Sequence, residues 1–442
     1  PDMVDERSGR LTIVDAWGRS VMDVPMEGEV LLPLTQIEEG TYRLIGHLLR
    51  KDGGVVEAER GLVIHRIREG REVKIDGLTN AMLVDGMPFF PIGIYWVRET
   101  FITELTGMAF NTGDYYPWLR EEEIASLVDR AGEERLGILL EFSDLLRPAG
   151  FFDKDHVRKR VERYRHHPGL LAWYLIDEPG ETQTSVEETR AAYEYIKELD
   201  PTHPVYLVNN RPETYIDHAL STDILAIDPY PIPNRSPEAV ADAVDLALAA
   251  VRGRKPVWVI IQAFGATEWW ARAPTPVEER CMVYLALIHG AGGILFYRYC
   301  TGEERNIQSE ALWKEVVQLA GELRTLGPIL LTGTEATGVR VKQEGRGIDV
   351  LAKWFEDDLY LFAANRSDRS SEVEFVLEPN PHTGGRGMRN NHESVHWGYG
   401  GQQVHGVTLY GGERRFRVKD GVFKDVFETY GVKVYRLRKE RV

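Results

Sequence analysis

Two adjacent acids are the first candidates for chemistry in this chain. In "LLAWYLIDEPGE", residues 170–181, an apolar run ends on Asp177 and Glu178 and is stopped by Pro179 and Gly180. A short apolar run closed by turn residues reads as a buried strand. A buried strand that ends on carboxylates carries them out of the core at its tip. Other apolar runs end in the same manner. Their tips carry Tyr95 and Trp96; Asp114, Tyr115 and Tyr116; Glu141 and Asp144; Asn209 and Asn210; Asp228 and Tyr230; Gln262, with Glu268, Trp269 and Trp270 just beyond; and Tyr297, Arg298 and Tyr299. Carboxylates and amides bind hydroxyls, flat rings stack on the apolar face of a sugar, and positioned carboxylates cleave glycosidic bonds. The expected ligand is therefore a carbohydrate.

The elements that must position these residues show an alternating rhythm. Buried-type strands are predicted at 89–96, 110–116, 137–145, 170–178, 204–210, 224–231, 256–264 and 293–299. Amphipathic helices fit between them. "EEEIASLVDRAGEERL" puts Ile124, Leu127, Val128 and Ala131 on one stripe. "SVEETRAAYEYIKELD" opens on a Ser cap with Glu188 three residues on. Eight strand–helix repeats make a (β/α)8 TIM barrel, whose active site forms at the C-terminal strand ends. An open doubly wound sheet has fewer strands and a glycine-rich first turn, and the chain lacks that turn. The α/β barrel is placed at residues 86–332. Residues 1–85 read as an N-terminal β-sandwich with a connector over 66–85. Residues 333–442 read as a C-terminal β-sandwich domain, with the last barrel helix at roughly 307–326. A Gly-, His- and Asn-rich stretch near 380–405 reads as a long loop, either a surface excursion or one that reaches the barrel mouth or a partner subunit.

Composition narrows the function class. A net charge of −16 argues against nucleic acid or an anionic membrane as partner and is indifferent to a neutral sugar. No apolar run reaches the ~20 residues of a membrane span. The chain starts at Pro1 without a signal peptide, as a processed or trimmed chain would, so its location is left open, with a secreted or periplasmic one favoured. Assembly into a homo-oligomer also stays open. Cys281 and Cys300 lack zinc or redox spacing and read as small buried groups. His203 and His289 are not at strand ends, and His166 and His167 lie at the start of strand 4, so neither a metal nor another cofactor is expected. There is no phosphate loop, HExxH or nucleophile elbow. An aldolase or isomerase barrel would want a Schiff-base lysine or metal ligands at strand ends.

"HHPGLLAWYLIDEP" resembles the strand-4 signature of glycoside hydrolase clan A, the retaining (β/α)8 glycosidases. "ILAIDPYP", "KPVWVIIQAFG" and "HGAGGILFYRY" are similar to the strand-6, -7 and -8 segments of unassigned bacterial members, and the flanking β-domains fit the same pattern. The resemblance implies Glu178 as general acid/base, with Asp177 replacing the family's Asn. It also implies a nucleophilic Glu near the end of strand 7, where this chain has Gln262. An amide cannot form the glycosyl ester of a retaining mechanism. Four readings follow. Gln262 is an engineered substitution; Glu268 folds back as nucleophile; the enzyme inverts, with Glu141, Asp144 or Asp228 as base; or the barrel binds sugar without cleaving it.

Each candidate also has a structural alternative. Neighbours on a strand face opposite sides, so one of Asp177 and Glu178 can be turned from the pocket, Asp177 the more readily. Gln262 can be a core amide satisfied by main chain, Glu268 a solvated loop acid, and one of the two tryptophans a loop anchor. Asp114 and Glu141 can pair with Arg298 or Arg98, while Tyr230 and Tyr297 can be packing groups. Trp173 sits mid-strand and reads as core.

Overall fold

The computed structural model describes residues 4–439 except 16–17, 27–29, 39, 51–53, 65–70, 78, 116–117, 143–152, 268, 302–303, 306, 308, 337, 343–346, 378–403 and 411–413. The Gly-, His- and Asn-rich stretch, Asp144 and Glu268 therefore lie outside, or almost wholly outside, the described residues. The chain divides into two compact units, residues 1–69 and 70–442. Where a sandwich is expected, the described residues of the first unit form one four-stranded antiparallel sheet. Its order is Ser20–Met26, Val4–Val14, Gly40–Arg50, Val55–Ile64, with a small core of Ile13, Ile37 and Tyr42.

The second unit holds the barrel. Its strands are β1 (Ile92–Val97), β2 (Thr112–Tyr115), β3 (Gly137–Glu141), β4 (Leu170–Asp177), β5 (Val205–Asn209), β6 (Ile224–Ile227), β7 (Val257–Gln262) and β8 (Gly293–Tyr297). They close into a cylinder, and every neighbouring pair is parallel. A helix follows each strand: α1 (Ile102–Gly107), α2 (Glu121–Glu134), α3 (Lys154–Tyr164), α4 (Val186–Leu199), α5 (Tyr215–His218), α6 (Glu238–Ala250), α7 (Pro276–Ile288) and α8 (Glu310–Thr332).

Sequence chemistry sets these elements. The strands are continuously apolar because both their faces are buried. One core fills the cylinder, with Leu139, Leu171, Tyr206, Trp258 and Leu295 among its members; another lies between strands and helices. Helix α4 begins where Ser185 and Glu188 form a reciprocal capping box, and Thr275 and Glu278 do the same for α7. Each such cap is worth about 1 kcal/mol. Helix α8 runs to Thr332, past the expected end, because its apolar stripe continues through Leu323, Leu326 and Ile329.

The stretch expected to be a connector is more than a linker. Residues 73–75, 82–84 and 87–89 form a three-stranded antiparallel sheet just ahead of β1. Its Val73, Met82 and Val84 join the core that fills the cylinder. After α8, two antiparallel sheets of six and three strands share an aromatic core in which Phe375 stacks on Phe423 at 4.7 Å.

Candidate active site

The C-terminal strand ends surround a pocket of about 370 Å³. Acids line one part of its wall: Asp114 from β2, Glu141 from β3, Asp177 and Glu178 at the end of β4, and Asp228 just past β6. Aromatic rings line the rest. Trp96 meets Tyr297 at 5.4 Å, Tyr297 stacks on Tyr230 at 5.7 Å, and Tyr230 meets Trp270 at 6.0 Å. Tyr95 lines the floor, its hydroxyl 2.8 Å from that of Tyr206. Arg298 lies 4.2 Å over the Trp96 ring and donates to the Tyr297 hydroxyl.

Both acids of the opening stretch line this pocket. Strict alternation would have turned one away, and two departures from it prevent that. The β4–β5 ladder shifts register between Tyr174 and Asp177. Leu175 and Ile176 both pack in the outer core, so Asp177 returns to the side of Tyr174, whose hydroxyl donates to it at 2.7 Å. An extra residue of this kind re-aims the side chains beyond it. Glu178 then leaves the pleat with φ at 43°. A non-glycine residue in that region costs on the order of 1–3 kcal/mol, and such positions cluster at functional sites. Trp96, which also lines the pocket, has φ at 64°.

Three of these acids hold protons more tightly than a free carboxyl does. Burial, then repulsion from Glu141 and Asp177, holds the Asp114 carboxyl well above the carboxylate range. Burial, then the charge and hydrogen bond of Glu178, does the same to Asp228. Asp177 opens onto the cavity yet is walled by protein elsewhere, and burial with the charges of Glu178 and Glu141 pushes it up to about 7. The folded protein thus keeps protons that the unfolded chain releases. That stability is full below the ordinary value of 3.8 and is lost as pH rises through about 7. The melting temperature should fall across that window, and Asp177→Asn should flatten part of the slope. Identical slopes in both proteins would show that Asp177 does not titrate there.

Three expected ligand-binding residues do not line the pocket. Gln262 is fully buried, and its amide is used by main chain. Oε1 accepts from the Ile232 N–H at 2.9 Å, and Nε2 donates to the carbonyls of Ile232 at 2.8 Å and Phe264 at 3.2 Å. It ties the loop after β6 to the end of β7. Asn209 turns into its own loop, where Oδ1 accepts from the Arg211 N–H and Nδ2 donates to Thr214. Tyr115 is buried and donates to the Glu141 carbonyl. After β7, Trp270 anchors the loop by donating to the Tyr230 carbonyl, while Trp269 lines the pocket and stays 72% exposed. Trp173 is core.

Tyr174, Phe264 and Thr267 line the pocket without having been expected there. Tyr174 had a signal: it alternates with the outward Trp173. Trp118, outside the pocket lining, is 68% exposed and packs edge-on to Trp96 at 5.4 Å. Among the described residues, no three acids, imidazoles or thiols are grouped to hold a metal ion. No described helix is long and apolar enough to cross a membrane.

Residues 181–328 match the family model of glycoside hydrolase family 42, described as β-galactosidase. Over that third of the chain the barrel is similar to glycoside hydrolases, in keeping with the clan A resemblance of its strand segments. The match opens just past Glu178 and takes in β5 to β8 of the barrel, with Gln262 inside it. Solved structures share the fold. A candidate glycoside hydrolase from Bacteroides vulgatus ATCC 8482 has 13% identity, with 100% of this chain and 98% of that chain covered and a TM-score of 0.53. A family 39 glycoside hydrolase from the gut symbiont Bacteroides cellulosilyticus WH2 has 12% identity, covering 99% and 96%, at 0.50. An Anoxybacillus α-amylase has 11% identity, covering 78% and 90%, at 0.51. At these identities the likeness is one of fold. No curated protein sequence matches the chain.

Proposed function

We propose that Glu178 is the general acid of this glycosidase barrel, donating a proton to the leaving glycosidic oxygen. The observation that carries this reading is the placement of Glu178 at the tip of β4, lining a pocket walled by acids and by rings. Asp228 is its positioning partner. Burial, then the charge and hydrogen bond of Glu178, keeps a proton on Asp228, which faces Glu178 as a neutral group.

Among the described residues, Glu141 is the second carboxylate. Asp228 and Asp114 are both held protonated, and Asp177 adjoins Glu178 in the chain. Glu141 comes from the strand beside β4 and lines the same pocket. The rings stack the apolar face of the sugar, and the family 42 match makes an aryl β-galactoside the first substrate to try.

Hydrolysis of that substrate and of an aryl glycoside panel tests the reading. Glu141→Gln should remove most turnover, and NMR of the first-formed anomer reports whether Glu141 acts directly or through water. A protein that releases no aglycone from any member overturns it. Asp228→Asn keeps the size of the side chain and removes the proton-bearing carboxyl beside Glu178, so activity at neutral pH should fall severalfold with KM little changed. An unchanged kcat would remove Asp228 from the scheme.

A further inference from the structure

The pocket is lopsided in charge. Asp114, Glu141, Asp177, Glu178 and Asp228 bring five carboxyls into it, and Arg298 brings one guanidinium. That guanidinium lies over the Trp96 face and donates to the Tyr297 hydroxyl, and its Nε is buried without a partner, so it leaves one donor against five carboxyls.

Two oxygens point to what is missing. Oδ1 of Asp114 and Oδ1 of Asp228 are buried without a hydrogen-bond partner, on residues 2% and 5% exposed. Both residues line the cavity, one from β2 and one from beyond β6. Buried polar atoms are nearly always paired, and leaving one unpaired costs about 1–3 kcal/mol. A sugar hydroxyl can donate to one of them. It leaves the excess of acid uncompensated. An ammonium group brings three donors and a full positive charge. It supplies a donor for an unpaired oxygen together with the missing positive charge, whereas a uronate carboxylate adds to the excess of acid.

We infer, on the footing of the glycosidase reading above, that this pocket takes a glycoside whose sugar carries a protonated amine and that it excludes uronides. The protein meets part of the same demand by retaining protons on Asp114, Asp177 and Asp228. A bound ammonium lets those protons go and turns hydrogen bonds between neutral groups into charge-assisted ones, which are roughly twice as strong. Arg298 does not undo this, because its stacking on Trp96 holds it at the aromatic part of the wall.

The test compares four 4-nitrophenyl glycosides at pH 6 in both the gluco and galacto series: the neutral sugar, its 2-amino-2-deoxy form, the N-acetyl form and the uronide. Binding of the free sugars is measured in parallel by calorimetry. The amine should exceed its neutral parent in kcat/KM by at least about tenfold in one series, or about 1.4 kcal/mol. The N-acetyl form, which has lost the charge, should fall back to the neutral value, and the uronide should be the poorest. Asp114→Asn should bring the amine-to-neutral ratio toward one. If neutral glycosides are cleaved with no amine preference in the unmodified protein, this inference falls and the glycosidase reading stands. If amino sugars bind preferentially and no glycoside is cleaved, the glycosidase reading falls and the charge selection stands. A pocket that neither binds nor cleaves any of them sinks both.

Discussion

Replacing Glu178 by Gln should lower kcat on a glycoside with a poor leaving group by about 10²–10⁴-fold, the usual contribution of a positioned general acid. Binding should change little, because the amide is nearly the same size and still donates and accepts hydrogen bonds. The loss should shrink on 2,4-dinitrophenyl glycosides, whose leaving group departs without a proton. That dependence separates an acid from a residue that only shapes the pocket, since a packing defect would slow both substrates alike. Steady-state rates across a leaving-group series make the measurement. A variant with near-full activity on unactivated substrates would take Glu178 out of the mechanism.

Gln262→Glu should give no gain in turnover and should destabilise the barrel. Position alone makes Gln262 the counterpart of a nucleophile, and restoring the acid is then the obvious experiment. The geometry argues otherwise. The side chain is fully buried, outside the pocket lining, with its NH2 on two carbonyl oxygens. A carboxylate there would face those oxygens with no donor. Protonation would restore one donor at most. Orphaning buried groups of this kind costs on the order of 2–4 kcal/mol. The melting temperature should therefore fall by about 4–10 °C while kcat stays at the parent value. A Gln262→Glu protein that melts as before and hydrolyses faster would show that residue 262 reaches substrate.

The two residues illustrate how much of the site was legible. The apolar run from Leu170 and its two terminal acids named a barrel strand and its active end. What was hidden was the extra residue between Tyr174 and Asp177, which shows only in the pairing with β5. Without it, alternation sends Asp177 outward. Gln262 stands at the end of its strand just as Glu178 does. Its partners are the main chain of Ile232 and Phe264, thirty residues back and two ahead, and no local pattern reveals that they close on it. Asn209 fails in the same way, taken by the turn that follows it. Residues 73–89 read as connector because their strands are three residues long, too short to show a period. They hold together through Val73, Met82 and Val84 packing into the cylinder.

The eightfold alternation, the barrel it closes into, and the set of acids and rings carried to one end of it were readable from the chain. They follow from apolar periodicity, which is written locally in each segment. Which members of the set face the cavity was settled by contacts between segments. Side-chain direction at a strand tip depends on bulges, on left-handed residues such as Glu178 and on the main-chain groups of neighbouring strands, and all of these are set by partners distant in the chain.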